Sequence, residues 1–234
     1  PDDLDSAYAA FLPEEAGMLH NIARLLCDTV KRMHSAERVQ RLRYLYEMSS
    51  ATSRHVVHSR TRQELLDGLY DSLVAHGAFP MLFMADTTDG GFPLRLIKQY
   101  GVPAQFLPAL SGLLQDHDSP MVQVLDSVKS GLVSSETIER VNRGLTSSNI
   151  PTLLQWRDFL QERGIIHRAI LPLRCGQQLD GVVVLYARGL TSFDDEQLRL
   201  LQEISGEMGF ALDSFARHAQ LIESEKQASF LEMQ

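Results

Sequence analysis

The chain has little cysteine, no long apolar run and no excess of positive charge, and each shortage argues against a class of protein. Only Cys27 and Cys175 occur among 234 residues, which argues against a disulfide framework and suits a reducing compartment. The net charge of −8 disfavours non-specific binding of nucleic acid. Apolar runs such as residues 182–187 are much shorter than the roughly 20 residues that cross a bilayer. We therefore expect a cytoplasmic chain that contacts neither nucleic acid nor membrane.

Clusters of catalytic and metal-binding residues are also missing from the sequence. His55 and His58 have the spacing of a metal-binding pair on a helix, but no carboxylate or cysteine follows at ligand spacing. Cys175 lies beside Arg174, which could lower the pKa of its thiol, yet the sequence offers neither a resolving thiol nor a general base. We expect no metal site and no enzymatic activity within this chain.

Helical periodicity dominates the first third of the sequence. Leu19, Ile22, Leu26 and Val30 recur at spacings of three and four. A second helical pattern over residues 36–57 follows without an intervening Gly or Pro, which predicts one long helix. Thr61 and Glu64 then form a capping box, which predicts the start of another helix.

The remaining pattern alternates between strands and helices. Two hairpins are predicted because short apolar runs flank polar turns, and hairpins imply an antiparallel sheet. The pattern predicts strands at 81–85, 92–100, 132–138, 165–174 and 179–188, helices at 102–115, 120–130 and 152–163, a loop at 142–150, and a terminal helix capped by Ser192. This order predicts an α+β fold whose sheet is covered by helices.

Four pieces of this pattern resemble the GAF domain family in their order and spacing. Trp156-Arg157 resembles a "pW+" element, and GIIHRAILPL at 164–173 resembles the strand "G+xSxxxxPL". GVVVLYA at 181–187 resembles "GvLxLya", and FDDE at 193–196 resembles the start of the closing helix. The resemblance covers residues 46–215. It implies a GAF-like, PAS-related antiparallel sheet with helices, flanked by long N- and C-terminal signalling helices.

The resemblance also implies a domain organisation and a role. Residues 1–45 are expected to be a helical linker, the tail of a preceding sensor domain, residues 46–215 the GAF domain, and residues 216–234 a signalling helix. Because the chain begins at Pro1 and ends inside a helical pattern, we expect a longer protein. The sequence is similar to bacterial GAF domains that precede GGDEF and EAL domains, which implies an output in cyclic di-GMP turnover outside this chain.

The ligand stays open, because the residue signatures of several ligand classes are missing. The chain lacks the Asn-Lys-Phe-Asp-Glu signature of cyclic-nucleotide-binding members, the bilin-linking Cys near a His, and the cysteine cluster of methionine sulfoxide reductases. The resemblance places a small-molecule cavity near Met84, Trp156, Phe159, His167 and Leu171. Core packing of Trp156 and a structural role for His167 are the alternatives.

The last helix suggests how a signal would leave the domain. Leu201, Met208, Leu212, Phe215 and Ile222 fall near heptad spacing, and the helical pattern continues past Arg217. Long helices at both ends predict a homodimer in which helix packing carries the signal. Two alternatives stay open: a dimerisation scaffold that binds no ligand, and a thiol-dependent enzyme that uses Cys175.

Overall fold

The computed structural model describes residues 13–75, 77, 79–87, 93–116, 151–176, 178–188 and 193–232. The chain divides into two compact units, residues 1–40 and residues 41–234. In the first unit the described residues are helical throughout. The second unit holds the sheet and every other element. The predicted segments at 120–130, 132–138 and 142–150, and the predicted cap Ser192, lie outside the described residues.

The described elements follow the order predicted from the sequence. They are helices α1 (Pro13–His58), α2 (Arg62–Val74), α3 (Leu107–Gln115), α4 (Pro151–Glu162) and α5 (Asp195–Glu232), strands β1 (Met81–Thr87), β2 (Leu94–Tyr100), β3 (Ile165–Cys175) and β4 (Gln178–Arg188), and a 3-10 turn at Ala104–Phe106. The long helix predicted from the two adjacent patterns is confirmed as α1. The predicted domain boundary after residue 215 falls inside α5.

The described strands form one antiparallel sheet in the order β2-β1-β4-β3. Both predicted hairpins are confirmed, since β1 pairs with β2 and β3 pairs with β4. The two hairpins join through β1 and β4, with Phe83 opposite Val184. The register slips between Ile165 and His167 in β3. Such a bulge changes which face a strand presents beyond it.

Local chemistry fixes where the helices begin and end. The Thr61 hydroxyl accepts a hydrogen bond from the Glu64 N–H at 3.1 Å, and the Glu64 carboxylate accepts one from the Arg60 N–H at 2.8 Å. The first bond satisfies a donor that the helix start leaves unpaired, and the second holds the chain just before the helix. At α5 the Asp194 carboxylate accepts the Gln197 N–H at 2.9 Å and so caps the helix. Gly164 ends α4 with a φ of 63°, a conformation that glycine adopts readily.

Two layers of apolar side chains cover the two faces of the sheet. The helical face is packed by α2, α5 and the last turns of α1, with buried side chains that include Leu45, Leu69 and Leu201. The aromatic face is packed by α3, α4 and the segment between β2 and α3. Its buried side chains are Met81, Phe83, Ala85, Leu94, Val102, Phe106, Leu110, Leu114, Trp156, Leu160, Ile165, Ile170, Val182, Val184 and Tyr186.

The ring of His55 on α1 lies close against Gly68 on α2. A methyl group at Gly68 would lie 2.4 Å from Nδ1 of His55, so a larger residue would require the His55 ring to move. His55 therefore packs against α2, while Nδ1 of His58 donates a hydrogen bond to the Arg54 carbonyl at 2.8 Å. In the part of the chain that the structure describes, no three His, Cys, Asp or Glu side chains are placed to hold a metal ion.

Candidate functional site

Neighbouring residues of β1 divide between the two faces of the sheet. Phe83 belongs to the aromatic face and Met84 to the helical face. Alternation of this kind is what a strand requires, because successive side chains point to opposite sides. Both faces are buried here. The assignment of each residue to a face therefore decides which side chains are able to meet a ligand.

Five aromatic rings gather on the aromatic face. Trp156 and Phe159 stack with their ring centroids 5.7 Å apart and an angle of 17° between the rings. Phe106 meets the edge of Trp156 at 5.0 Å, and Tyr186 meets it at 5.9 Å with an angle of 86°. Phe83 lies 6.3 Å from Tyr186. Such edge-to-face and offset pairs add stabilisation beyond burial alone. The cluster is a largely buried group of polarisable rings packed over the two central strands, β1 and β4.

Arg168 places a guanidinium group against this cluster. It pairs with Tyr186 across the β3–β4 ladder, and its Cζ lies 5.6 Å from the centre of the Tyr186 ring, a cation–π distance. Its Nη1 atom is shielded from solvent and has no hydrogen-bond partner within the described part of the chain. Burial lowers the pKa of Arg168, an effect that Tyr186 partly opposes. An arginine keeps its charge even so.

Tyr186 remains a neutral phenol beneath that guanidinium. Burial raises the pKa of Tyr186, and Arg168 and a hydrogen bond from Trp156 offset only part of that rise. Trp156 has only a donor to offer, so its indole N–H donates to the Tyr186 hydroxyl. Because the phenol is uncharged, it stabilises the arginine through its ring and supplies no negative charge.

The five residues predicted to line a cavity divide between the faces. Trp156 and Phe159 lie together on the aromatic face. Met84 and Leu171 are fully buried on the helical face. His167 stands opposite Ala187, which also belongs to the helical face, and directly opposed residues of an antiparallel pair project to the same side. A ligand role for Met84, His167 and Leu171 stays a prediction, and it concerns a different surface from that of Trp156.

Arg168 and Tyr186 were missing from the predicted set although the sequence held a signal for one of them. A charged residue inside an apolar strand is costly unless it is paired or functional. Arg168 lies inside such a strand. Tyr186 carried no comparable signal, because a tyrosine at the end of an apolar run is ordinary core sequence.

A second charged cluster ties α2 to the sheet on its helical side. The buried carboxylate of Asp86 lies 3.1 Å from Nη2 of Arg95 and 3.6 Å from Nη1 of Arg62. Arg62 also contacts Asp180 at 2.8 Å. The hydrogen bond from Arg95 to Asp86 raises the pKa of Arg95. All four groups have a partner, so the cluster fastens β1, β2 and β4 to the start of α2.

Cys175 lies near a groove between β3 and α5. The groove has a volume of about 310 Å³ and its lining includes Arg174, Ser205 and Asp213. The Cys175 thiol is 3.9 Å from an Asp213 carboxylate oxygen. Burial raises the pKa of this thiol, and Asp213 and Asp180 raise it further, against a smaller opposing effect of Arg217. A thiol of this kind is a weaker nucleophile at neutral pH than an ordinary cysteine.

Comparison with known proteins assigns the family. A family model described as "GAF domain" matches residues 59–213, which is more than half of the chain, and its bounds enclose the whole sheet together with α2, α3 and α4. The chain therefore belongs to the GAF domain family, as the sequence resemblance predicted. GAF domains are sensory and regulatory domains of signalling proteins rather than catalytic ones.

Solved structures of the family are distant relatives of the chain. The GAF domain of an Acinetobacter phosphoenolpyruvate-protein phosphotransferase is 12% identical with a TM-score of 0.49, covering 76% of this chain and 95% of that one. The phycocyanobilin-bound GAF domain of a cyanobacterial phytochrome is 12% identical with a TM-score of 0.49, covering 73% and 96%. A GAF domain/HD domain protein from Geobacter sulfurreducens is 17% identical with a TM-score of 0.44, covering 66% and 94%. No curated protein matches the chain.

The long helices are not membrane spans within the described residues. None of them combines the length and the apolar character that crossing a bilayer requires.

Proposed function

We propose that this GAF domain is the regulatory module of a bacterial signalling protein, which binds a small molecule on its aromatic face and passes the signal through α1 and α5 of a homodimer. The observation that carries the proposal is the position of Arg168, whose guanidinium lies against the Tyr186 ring and whose solvent-shielded Nη1 has no hydrogen-bond partner among the described residues. A purely structural core gains nothing from such a group. From the sequence resemblance, we expect a cytoplasmic protein whose output domain acts in cyclic di-GMP turnover.

Strands β3 and β4 give the two faces a direct mechanical connection. Tyr186 lies on the aromatic face and its neighbour Leu185 on the helical face. Along β3, Ile170 and Leu171 divide in the same way, and α5 packs directly on β3. A ligand that moves Arg168 or Tyr186 would move the backbone that α5 rests on. Because packed interfaces shift between discrete arrangements, a small displacement is enough to change helix packing.

Exposed apolar side chains on both terminal helices support the homodimer. In the first unit these include Leu19, Ile22, Leu26, Val30 and Met33, which recur every three or four residues as a coiled-coil seam does. On α5, Phe210 is 68% exposed and Leu221 is 60% exposed. Apolar stripes of this kind need a partner surface, and a second copy offers a matching stripe on each helix.

The scaffold alternative has its own support. The rings of Phe106, Trp156 and Phe159 lie within 6 Å of one another, so they already satisfy each other's packing. A domain with that core would hold two copies together without sensing anything. The thiol-enzyme alternative is less well supported, because the pKa of the Cys175 thiol is raised.

Native mass spectrometry of the chain purified gently from its own organism tests the proposal directly. It measures the dimer mass and any retained small molecule in one spectrum. A dimer with added mass supports the sensor, and a dimer without added mass favours the scaffold. A monomer would contradict signalling through paired helices. Leu26→Glu should shift the spectrum to monomer, while Leu69→Val in the core should leave the dimer intact.

A further inference from the structure

We propose that the ligand of the aromatic face is a small organic monoanion, a carboxylate on a flat apolar body, and that Arg168 is the residue that recognises the carboxylate. This inference rests on the proposed function, since it names the ligand class for the same face. It adds a charge requirement that the sensor role alone does not make.

We infer the ligand carboxylate from the surroundings of the Arg168 guanidinium. Its Nη1 is buried and lacks a hydrogen-bond partner among the described residues. A guanidinium presents its donors in a planar fork that matches the two oxygens of a carboxylate. The neighbouring group, Tyr186, is a buried phenol whose pKa is raised, so it supplies no counter-charge. A ligand carboxylate would supply both the missing acceptor and the missing charge.

The flat apolar body follows from the rings around that charge. Tyr186 lies under the guanidinium, and the edge-to-face contact with Trp156 extends the surface toward Phe159 and Phe106. Ring faces and edges favour a planar partner that stacks or inserts edge-on. An aliphatic polyol or a sugar would leave its hydroxyl groups unsatisfied against these rings.

We infer that the ligand carries a single negative charge, because the other cations near the ring cluster are ion-paired or exposed. Arg157 is ion-paired with Asp158 at 2.9 Å. Arg163 lies over the outer face of Phe159 at 4.1 Å and is exposed. Neither offers a second buried positive charge in the described part of the site. A phosphate or a dicarboxylate carries more charge than one guanidinium neutralises, so a monocarboxylate fits best.

The position of Trp156 makes the inference measurable, because it is the only tryptophan of the chain. Benzoate serves as the probe, and neutral benzamide of nearly the same shape serves as its matched control. We expect benzoate to change Trp156 fluorescence saturably and to raise the melting temperature. A fragment of this size is expected to bind with a Kd of about 1 mM, and benzamide about tenfold more weakly.

Variants assign the charge effect to one arginine. Arg168→Gln should weaken benzoate binding by about tenfold and remove the preference over benzamide, and Arg168→Lys should retain part of that preference. Arg163→Gln should leave both unchanged. Circular dichroism checks that each variant is folded. If Arg168→Gln does not fold, the benzoate-to-benzamide ratio of the native chain and of Arg168→Lys still decides the matter.

Several outcomes would overturn the inference. Equal binding of benzoate and benzamide would remove the charge requirement, and undiminished benzoate binding by Arg168→Gln would remove the arginine. Absence of saturable benzoate binding up to about 10 mM would contradict the ligand class. These results differ from failure of the sensor itself. A neutral molecule retained in the native mass spectrum would preserve the sensor and overturn only the anion.

Discussion

The helical face and the aromatic face of one sheet are both buried, but they are built from different chemistry. On the helical face the leucines of α2 and α5 interlock with strand side chains, and the charged groups at its margin are paired. On the aromatic face, rings surround a guanidinium whose Nη1 has no described partner. Tight aliphatic packing with satisfied charges maximises stability. An unsatisfied charge lowers stability, and the proposed ligand would compensate for it.

The comparison indicates different roles for the two faces of the sheet. The helical face holds the last turns of α1 and α5 to the sheet, and under the proposed function the aromatic face is where a ligand would act on the same strands. Unsatisfied groups that destabilise a resting protein are common at binding sites. Four experiments test this contrast.

Cavities on the two faces should have the largest effects and should differ in size. Leu69→Ala on α2 removes a fully buried side chain from the helical face, and we expect it to lower the free energy of unfolding by about 3–5 kcal/mol. Leu160→Ala on α4 should cost about 2–3 kcal/mol, because Leu160 is 4% exposed whereas Leu69 is fully buried. Urea denaturation of both variants measures the difference. Equal losses, or a larger loss at Leu160, would contradict the contrast.

Loss of the ion pairs around Asp86, at the margin of the helical face, should have the second-largest effect on the free energy of unfolding. Asp86→Asn removes the buried carboxylate that Arg95 and Arg62 share. We expect a loss of about 1–2 kcal/mol, kept small because both arginines are partly exposed. Asp158→Asn is the matched control, since Asp158 pairs with Arg157 on an exposed surface, and it should change the free energy of unfolding by about 0.5 kcal/mol or less. Equal effects of the two variants would show that Asp86 is not a structural anchor.

The sequence predicted the helices and strands far better than it predicted which face of the sheet each strand residue occupies. Helix periodicity and the Thr61–Glu64 box gave the helices, and polar turns between apolar runs gave the hairpins. Which face is which could not be predicted, because strands buried on both sides have apolar residues at nearly every position. Residues 182–187 are all apolar, so they offer no alternation. For β3, the irregularity between Ile165 and His167 also changes the register, and nothing in those residues indicates it.

Removing the charge of Arg168 from the aromatic face should stabilise the ligand-free chain. Arg168→Met keeps an unbranched apolar side chain, shorter by two atoms, and removes the charge that burial disfavours. Replacing a poorly compensated buried charge by an apolar group of similar volume is often stabilising. We expect the free energy of unfolding of the ligand-free chain to rise by about 1 kcal/mol. A loss of 1 kcal/mol or more would mean that Arg168 has a structural role, and thermal or urea unfolding without added ligand decides between the two.

The smallest expected effect is a shift in the reactivity of Cys175, which lies where β3 meets α5. Burial first, and then the carboxylates of Asp213 and Asp180, raise the pKa of this thiol. At pH 8 the reactive thiolate is therefore scarcer than for an ordinary cysteine, and alkylation by iodoacetamide should be slow. Asp213→Asn removes one negative charge, so the pKa should fall and the rate at pH 8 should rise about two- to fivefold.

The chain provides the means to isolate that thiol. Cys27 is exposed and is the other cysteine, so Cys27→Ser serves as the background in which Cys175 alone reacts. Asp158→Asn is the charge control and should leave the rate unchanged. Because burial is the largest cause of the shift, Asp213→Asn should restore only part of the ordinary pKa. If the pH midpoint of alkylation fell below the ordinary thiol pKa, the buried setting of Cys175 would be contradicted. That result would favour the thiol-dependent enzyme over a structural role for Cys175.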